Sequence, residues 1–212
     1  MSLVLHHLND SRSFRIAWAL TELGADFELV KHQRGADLLA PDSLKQVHPL
    51  GKSPVLEDDG KQYIESQCIL EHLSETHDGR LSAKQDDPRM WLTFTESSLM
   101  PMLVMGLVLK TAAKQAPKIL QPVFKPFVKG ISTAFTGKNA KADLEFLNGY
   151  LTKHNFLSDD DQFGIADIQM EFAIYSAEGA GFNLGEYPAI RRWLTELHER
   201  PAYQQALSRA GR

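Results

Sequence analysis

The sequence predicts a small α/β N-terminal domain followed by an all-α C-terminal domain. Asp59 and Gly60 separate two short apolar runs, and an Asp-Gly pair in that position is a strong signal for a β-hairpin. Strand-like and helix-like patterns alternate around this hairpin, whereas no convincing strand pattern follows residue 88. We therefore expect domains at residues 1–77 and 88–212, joined by a polar, turn-rich linker at residues 78–87.

The first thirty residues predict a strand, a helix and a second strand. Leu3 to Leu8 is a short apolar run that fits a buried strand. The helix has apolar residues at helical spacing and ends at Gly24. Phe27 to Val30 fits the next strand. A helix that connects two parallel strands of one sheet forms a right-handed βαβ unit, so these two strands should be parallel.

The later elements follow from turn and helix-start signals. Pro41-Asp42 starts a short helix, and the hairpin leads into a further helix at Glu65-Ser66. The complete order, β-α-β-α-β-β-α, is the thioredoxin-like arrangement. In the second half, Asp87-Pro88 resembles a helix cap followed by proline at the first helical position. Three prolines between Lys114 and Lys129 predict a broken helical region. Further helices are expected at residues 140–153, from residues 163–167 to 179–181, and at residues 188–200.

Composition limits the possible partners and location. The 212 residues carry a net charge of −4, which gives no overall attraction to nucleic acid or to an anionic membrane. The apolar run from Leu99 to Leu109 is too short to span a bilayer. One cysteine excludes an intramolecular disulfide, which fits a reducing compartment. The N-terminus has no signal-peptide pattern. We expect a cytoplasmic protein with no nucleic-acid and no membrane partner.

One stretch carries a resemblance to a known family. The sequence Gly51-Lys52-Ser53-Pro54-Val55-Leu56, followed by a hairpin and Glu65-Ser66, resembles the glutathione site of the glutathione transferase superfamily. That resemblance implies a cis bond before Pro54, which is uncommon in proteins. It also implies that main-chain groups of Ser53 pair with the cysteinyl part of glutathione. The family usually has valine at the position of Ser53, and this difference should matter little for a main-chain contact.

A second resemblance lies at the start of a predicted core helix, at Phe163-Gly164-Ile165-Ala166-Asp167. The family usually has serine or threonine where Gly164 stands, forming a capping box with the aspartate. Glycine is a tolerable cap and costs a few tenths of a kcal/mol relative to serine. Asp167 is therefore expected to have a structural role, in which it accepts hydrogen bonds from N–H groups at the loop and helix start.

The expected reaction begins with the thiol of glutathione, whose pKa near 8.5 must be lowered by donors or positive charge. Candidate donors lie between the first strand and first helix, at residues 9–13. Resemblance to serine-type members would make Ser11 the catalytic donor, with Arg12 or Asn9 assisting. Other classes would place Asp10 there, where its charge would repel a thiolate. Alternatively, Asp10 or Ser11 simply caps the first helix.

The glutathione-binding residues implied by the resemblance are Ser53, Glu65, Ser66, Lys52 and Arg12. An acid and a hydroxyl at a helix N-terminus suit the ammonium and carboxylate of the γ-glutamyl group, although Glu65 and Ser66 would look similar as capping residues. Lys52 either meets the glycyl carboxylate or stays solvated. The histidines show no metal-ligand spacing, so no metal is expected. Cys68 is interpreted as a small core residue.

Three methionines predict the binding site of the electrophile. Met100, Met102 and Met105 are candidates for an adaptable apolar wall, and helix core or subunit interface is an equally good interpretation. In some family members an acid at the position of Glu96 reaches the ligand of the neighbouring subunit. Five lysines, at positions 110, 114, 118, 125 and 129, fit a solvated face better than an anion or membrane contact.

The resemblance implies a homodimeric glutathione transferase that conjugates the glutathione thiolate to an apolar, hydrophobic small molecule. Two alternatives stay open. One is a glutathione-dependent peroxidase, isomerase or dehalogenase on the same scaffold. The other is a non-catalytic binding protein of the same fold, because a fold does not fix a function.

Overall fold

The computed structural model describes residues 2–36, 39–82, 89–158 and 162–212. Its first part contains four strands and three helices in the predicted order. They are β1 (Leu3–Leu8), α1 (Ser13–Glu22), β2 (Phe27–His32), α2 (Asp42–Val47), β3 (Val55–Asp58), β4 (Lys61–Ile64) and α3 (Ser66–Thr76). This order confirms the predicted α/β class of the N-terminal domain.

The four strands form one mixed sheet in the order β2-β1-β3-β4. Strand β1 pairs in parallel with β2, as the βαβ unit requires, and antiparallel with β3. The hairpin between β3 and β4 turns at Asp59 and Gly60, which have φ values of 45° and 80°. Both central residues of a tight type I′ hairpin turn need positive φ, and Asp-Gly meets that need at low cost.

The second part contains helices and, among its described residues, no strand, as predicted. Its elements are α4 (Arg89–Phe94), a π-helical turn (Thr95–Leu99), α5 (Met100–Gln115), α6 (Gln121–Ile131), a second π-helical turn (Ser132–Thr136), α7 (Gly137–Leu151), α8 (Ile165–Ala180), a 3₁₀ turn (Leu184–Glu186), α9 (Pro188–His198) and α10 (Pro201–Ala210). Helix α4, the first π-helical turn and α5 run on without a gap, so one long helix extends from Arg89 to Gln115.

The proline-rich region differs in part from the prediction. The chain does break between α5 and α6, around Pro117, but α6 then continues through Pro126. A proline inside a helix removes one hydrogen bond to the carbonyl four residues earlier. Here that carbonyl belongs to Pro122, an exposed residue, so water can satisfy it and the helix persists.

Helix α1 joins the two domains. Every residue from Ser13 to Leu20 is buried, because the helix is covered by the sheet on one side and by C-terminal helices on the other. The ring of Trp18 lies edge-on to Tyr203 of α10, at 4.9 Å between centroids, and near Phe163, at 5.3 Å. Aromatic pairs of this geometry contribute beyond the area that they bury, so the first helix and the last are packed as one core.

Asp167 has the predicted structural role. Its carboxylate accepts hydrogen bonds from the main-chain N–H groups of Leu157 (2.8 Å), Ser158 (3.3 Å) and Gly164 (3.1 Å). The indole N–H of Trp193 adds a fourth, at 2.9 Å. Because Asp167 is fully buried, these donors offset the cost of removing a carboxyl group from water, although burial still holds its pKa above the ordinary value.

By length and composition alone, the helical stretch Arg89–Gln115 could cross a membrane. An 18-residue part of it has a mean hydropathy of 1.5, and 28% of that part is buried. A core helix can meet the same criteria. The first half of the stretch carries buried residues of the hydrophobic core, among them Trp91, Leu92 and Leu99. Burial therefore ties that half to the rest of the domain.

Several sequence predictions fall on residues that the structure does not describe. The second part of the proposed linker and the helix start at Asp87-Pro88 lie within residues 83–88. The domain boundaries at residues 77 and 88 therefore stay a prediction.

Candidate functional site

A groove of about 290 Å³ runs along the junction of the two domains. This volume is near the lower end of the range for small-molecule sites, about 300–1,000 Å³. The groove is lined by Arg12, His48, Leu50, Lys52, Ser53, Pro54, Ile64, Glu65, Ser66 and Glu96. All five residues predicted to bind glutathione are among them, so the fold brings together side chains that are up to 54 positions apart in the sequence.

The segment before β3 forms one side of the groove. The Ser53–Pro54 bond is cis, as the family resemblance implies. The hydroxyl of Ser53 donates a hydrogen bond to the carbonyl of His6, at 2.8 Å. The side chain is therefore engaged with β1, which leaves the main-chain groups of Ser53 to meet any ligand in the groove.

A buried arginine holds the hydroxyl at the start of α3. Arg15 is fully buried, and its Nη1 donates to Ser66 Oγ at 2.9 Å and to Glu96 Oε1 at 2.5 Å. Since the oxygen of Ser66 accepts from the guanidinium, the Ser66 O–H is left to donate elsewhere. Burial lowers the pKa of Arg15 to about 10, despite the opposing effect of Glu96, so the guanidinium remains charged at neutral pH.

Glu65 precedes α3 in an unusual backbone conformation. Its φ is +65° and its ψ is 119°, and the residue is exposed at the rim of the groove. A residue with a side chain rarely adopts positive φ, and such conformations cost about 1–3 kcal/mol and cluster at functional sites. Glu65 and Ser66 line the groove together at the start of α3.

Arg12 and Glu96 form an ion pair across the groove. Arg12 Nε lies 3.3 Å from Glu96 Oε1 and Nη2 lies 3.0 Å from Oε2, so the guanidinium and carboxylate meet in a bidentate arrangement. Burial alone would raise the pKa of Glu96, but Arg15 and Arg12 together hold it below the ordinary value. Glu96 lines the groove of its own chain, and a contact with the ligand of a neighbouring subunit stays a prediction.

Ser11 is not among the residues that line the groove. Its hydroxyl is buried, donates to the carbonyl of Leu8 at 2.8 Å and lies 2.8 Å from Ser13 Oγ. Its oxygen also accepts from the N–H of Ser13, at 3.2 Å. These contacts fit the alternative in which Ser11 caps the turn before α1. Its role as thiolate donor stays a prediction, and it requires the hydroxyl to exchange these partners for the sulfur.

A histidine extends this hydroxyl pair into the sheet. Ser13 Oγ lies 2.9 Å from His7 Nδ1. Burial is the main cause that lowers the pKa of His7 to about 4, with Lys31 and His32 contributing. The imidazole is therefore neutral at physiological pH, and it fixes the turn through a hydrogen bond rather than through charge.

The three methionines do not form one wall. Met100 is buried in the core, Met105 is exposed, and Met102 lines a separate hollow of about 140 Å³ with Leu103 and Phe182. Successive residues on a helix point about 100° apart, so Met102 and Met105 lie on the same side of the helix, whereas Met100 points away from both. The prediction treated them as a patch because they are close in sequence.

Two further expectations concern cysteine and metal. Cys68 is exposed, so the interpretation as a core residue was wrong: the buried residues next to it in α3 are Ser66, Ile69 and Leu70. Within the described residues, no group of three or more His, Cys, Asp or Glu side chains is placed to hold a metal ion.

Sequence reasoning missed Arg15 and the groove residues His48, Leu50 and Ile64. Arg15 sits in the middle of an apolar helix. That position could have identified it, because an arginine that is buried needs a partner. Its partner Glu96 is 81 residues away, so no local pattern connects the two.

Comparison with known proteins shows which family the chain resembles throughout most of its length. A family model described as the glutathione S-transferase N-terminal domain matches residues 5–81, and one for the C-terminal domain matches residues 112–201. Glutathione S-transferase 3 of Schizosaccharomyces pombe is 34% identical over 94% of this chain and 84% of its own. Glutathione S-transferase 1 of Saccharomyces cerevisiae is 31% identical over 97% and 94%. A crystal structure of a glutathione S-transferase from Actinobacillus pleuropneumoniae aligns with a TM-score of 0.78 at 26% identity, covering 98% of this chain and 92% of that one.

Proposed function

Since the chain belongs to the glutathione S-transferase family, we propose that it binds glutathione in the groove and transfers the thiolate to an apolar electrophile. The observation that carries the proposal is the contact between buried Arg15 and Ser66. A charged group kept in the core at the cost of desolvation fixes one hydroxyl at the head of a groove, beside an acid and a helix N-terminus.

The head of the tripeptide would lie at Glu65 and Ser66. Its γ-glutamyl carboxylate would accept from the Ser66 hydroxyl and from the free N–H groups at the start of α3, where the helix dipole favours an anion. The Glu65 carboxylate would face the ammonium group. The cysteinyl part would pair with the main chain of Ser53, and Lys52 would meet the glycyl carboxylate.

The thiol would then lie towards the turn before α1. At neutral pH only a few per cent of a free thiol is ionised, so a nearby cation lowers the barrier to attack by favouring the thiolate. Arg12 and Lys52 both line the groove, and Arg12 is the one that belongs to the turn before α1. It supports a thiolate without leaving its ion pair, because Glu96 occupies Nε and Nη2 but not Nη1.

In the proposed reaction the thiol loses its proton to solvent and the sulfur forms a bond to an electrophilic carbon of the second substrate. The leaving group departs with the electron pair of the bond that breaks. The protein contributes thiolate stabilisation and the positioning of two reactants. The second substrate would approach from the side of α5, which starts four residues after Glu96.

The proposal is tested by calorimetric titration with glutathione, followed by assays with chlorodinitrobenzene and with cumene hydroperoxide. Heat of binding together with conjugation supports a transferase. Binding with hydroperoxide turnover alone would support the glutathione-dependent peroxidase instead. Absence of heat and of any thermal shift at millimolar glutathione would leave the non-catalytic binding protein. The homodimer and the cytoplasmic location remain predictions, and sedimentation velocity tests the first of them.

A further inference from the structure

Charge is distributed very unevenly along this chain. Residues 97–142 contain seven lysines and none of the 27 acidic residues. This segment therefore carries a net charge of +7, whereas the rest of the chain carries 16 basic and 27 acidic residues, a net charge of −11. The overall value of −4 conceals a strongly cationic segment, which coincides with α5, α6 and the second π-helical turn.

The same segment exposes large apolar side chains. We define the exposed hairpin as residues 104–131, the last part of α5, the connection and α6. In α6 only Val128 is buried, while Val123 is 70% and Phe127 is 63% exposed. Ile119 in the connection is 85% exposed. Exposed apolar side chains that gather into a large patch mark protein or membrane interaction sites.

A cationic hollow lies between the two helices of the hairpin. It has a volume of about 330 Å³ and an apolar floor formed by Ala113 and Val128. Its rim carries four ammonium groups and two hydroxyls, from Lys110, Lys114, Lys125, Lys129, Ser132 and Thr133. Lys110 donates to the carbonyl of Ala180 at 2.6 Å, and among the residues that the structure describes no carboxylate lines the hollow. The other three ammonium groups are thus available to an anion.

From these three observations we propose that the exposed hairpin docks on a bilayer surface containing anionic phospholipid. A helix with lysines and exposed phenylalanines lies in the interface plane, with its apolar side chains among the acyl chains and its cations at the headgroups. Clustered lysines next to such a helix are attracted to anionic lipid. The hollow suits a phosphate headgroup, because cations surround a floor that an acyl chain can contact.

A second copy of this chain fits the hairpin less well. In a symmetric pair the same surface meets itself, so lysines of one hairpin would face the lysines of the other, with no acid in the segment to pair with them. A transmembrane arrangement is also disfavoured. It would withdraw Trp91, Leu92 and Leu99 from the core. Attachment of the hairpin leaves that core and the glutathione groove unchanged, so this proposal does not depend on the proposed function.

The test is co-sedimentation of the full chain with vesicles of phosphatidylcholine alone or mixed with phosphatidylglycerol. We expect binding to the mixed vesicles only, and release at high salt, since exposed charges are screened. Phe124→Ser/Phe127→Ser should lower the bound fraction at least about tenfold, since two apolar anchors are lost. Lys125→Glu/Lys129→Glu should abolish binding to the mixed vesicles.

The matched control is Lys61→Glu/Lys153→Glu, which changes the net charge equally at exposed sites outside the segment. It should bind vesicles at more than half the level of the wild type. Each variant should retain glutathione affinity and its melting temperature, which shows that it is folded. The proposal is overturned if the wild type ignores the mixed vesicles, if the control loses binding as strongly as the hairpin variants, or if the hairpin variants change only the oligomeric mass.

Discussion

The hydroxyl of Ser158 occupies the place where a side chain on Gly164 would stand. A Cβ added to Gly164 would lie 2.6 Å from Ser158 Oγ and 2.5 Å from the carbonyl oxygen of Leu81. Ser158 Oγ accepts the N–H of Ala166, in the first turn of α8, at 3.1 Å. The family usually caps this helix with a hydroxyl at the position of Gly164, so here a residue six positions earlier supplies the missing hydroxyl.

We expect Ser158→Ala to lower the free energy of unfolding by about 1 kcal/mol, because the buried N–H of Ala166 loses its partner. Gly164→Ser should be worse on its own, since its Cβ meets both Ser158 and the main chain of Leu81. The double variant should lose less than the sum of the two, because removal of one hydroxyl relieves part of the clash. Urea denaturation measures the free energy of unfolding of all three variants. Strictly additive losses would contradict the inference that Ser158 supplies the hydroxyl usually found at position 164.

Ser66 and Ser53 provide a matched pair of groove residues. We expect Ser66→Ala to weaken glutathione binding by about tenfold or more, since a hydrogen bond to a charged group contributes about 1.5–3 kcal/mol. Ser53→Ala should leave the affinity within about twofold, because its hydroxyl is bound to His6 and not directed at the ligand. Calorimetric titration measures both constants. Equal glutathione affinity of Ser66→Ala and wild type would show that the γ-glutamyl group does not bind at the start of α3.

Arg12 and Ser11 are competing candidates for stabilising the thiolate. We expect Arg12→Gln to raise the pKa of bound glutathione, followed through the ultraviolet absorbance of the thiolate, and to lower kcat by about tenfold or more. Ser11→Ala should chiefly lower stability, by about 1 kcal/mol, because the turn loses its hydrogen bonds to Leu8 and Ser13. A raised thiol pKa in Ser11→Ala with unchanged Arg12→Gln would restore Ser11 as the donor.

Glu96 should contribute a pH-dependent share of stability. Its pKa is held below the ordinary value in the folded state, so its stabilisation is complete above the unfolded value of about 4.3. It is lost as the pH falls through the folded value. As the pH falls below about 5, the melting temperature of Glu96→Gln should therefore decrease less steeply than that of the wild type. The control is Glu145→Gln, at an exposed position. An equally shallow decrease of its melting temperature at acid pH would contradict the contribution assigned to Glu96.

Local signals were sufficient for much of the fold. Asp59 and Gly60 predicted the hairpin, and the spacing from Leu3 to Phe27 predicted the parallel pair, because these features depend on neighbours in sequence. The cis bond at Pro54 and the position of Ser66 in the groove followed from the family pattern. Each of these elements is defined within about thirty residues.

What failed depends on distance or on helical phase. Arg15 and Glu96 meet only after the second domain packs on the first, and neither has a local sign of the other. Met100 is close to Met102 and Met105 in sequence but points away from both on the helix. The expectation of no membrane contact rested on the average charge of the chain and on the interpretation of five lysines as a solvated face, and it stays a prediction that the vesicle experiment tests.

The guanidinium of Arg15 has consequences for protein engineering. It joins α1, the start of α3 and the π-helical turn that carries Glu96, so each domain supplies one of its partners. A chimaera that grafts residues 1–77 onto a foreign helical partner would keep Ser66 but strand a cation in apolar surroundings. The small domain is therefore not a portable glutathione module unless an acid equivalent to Glu96 is transplanted with it.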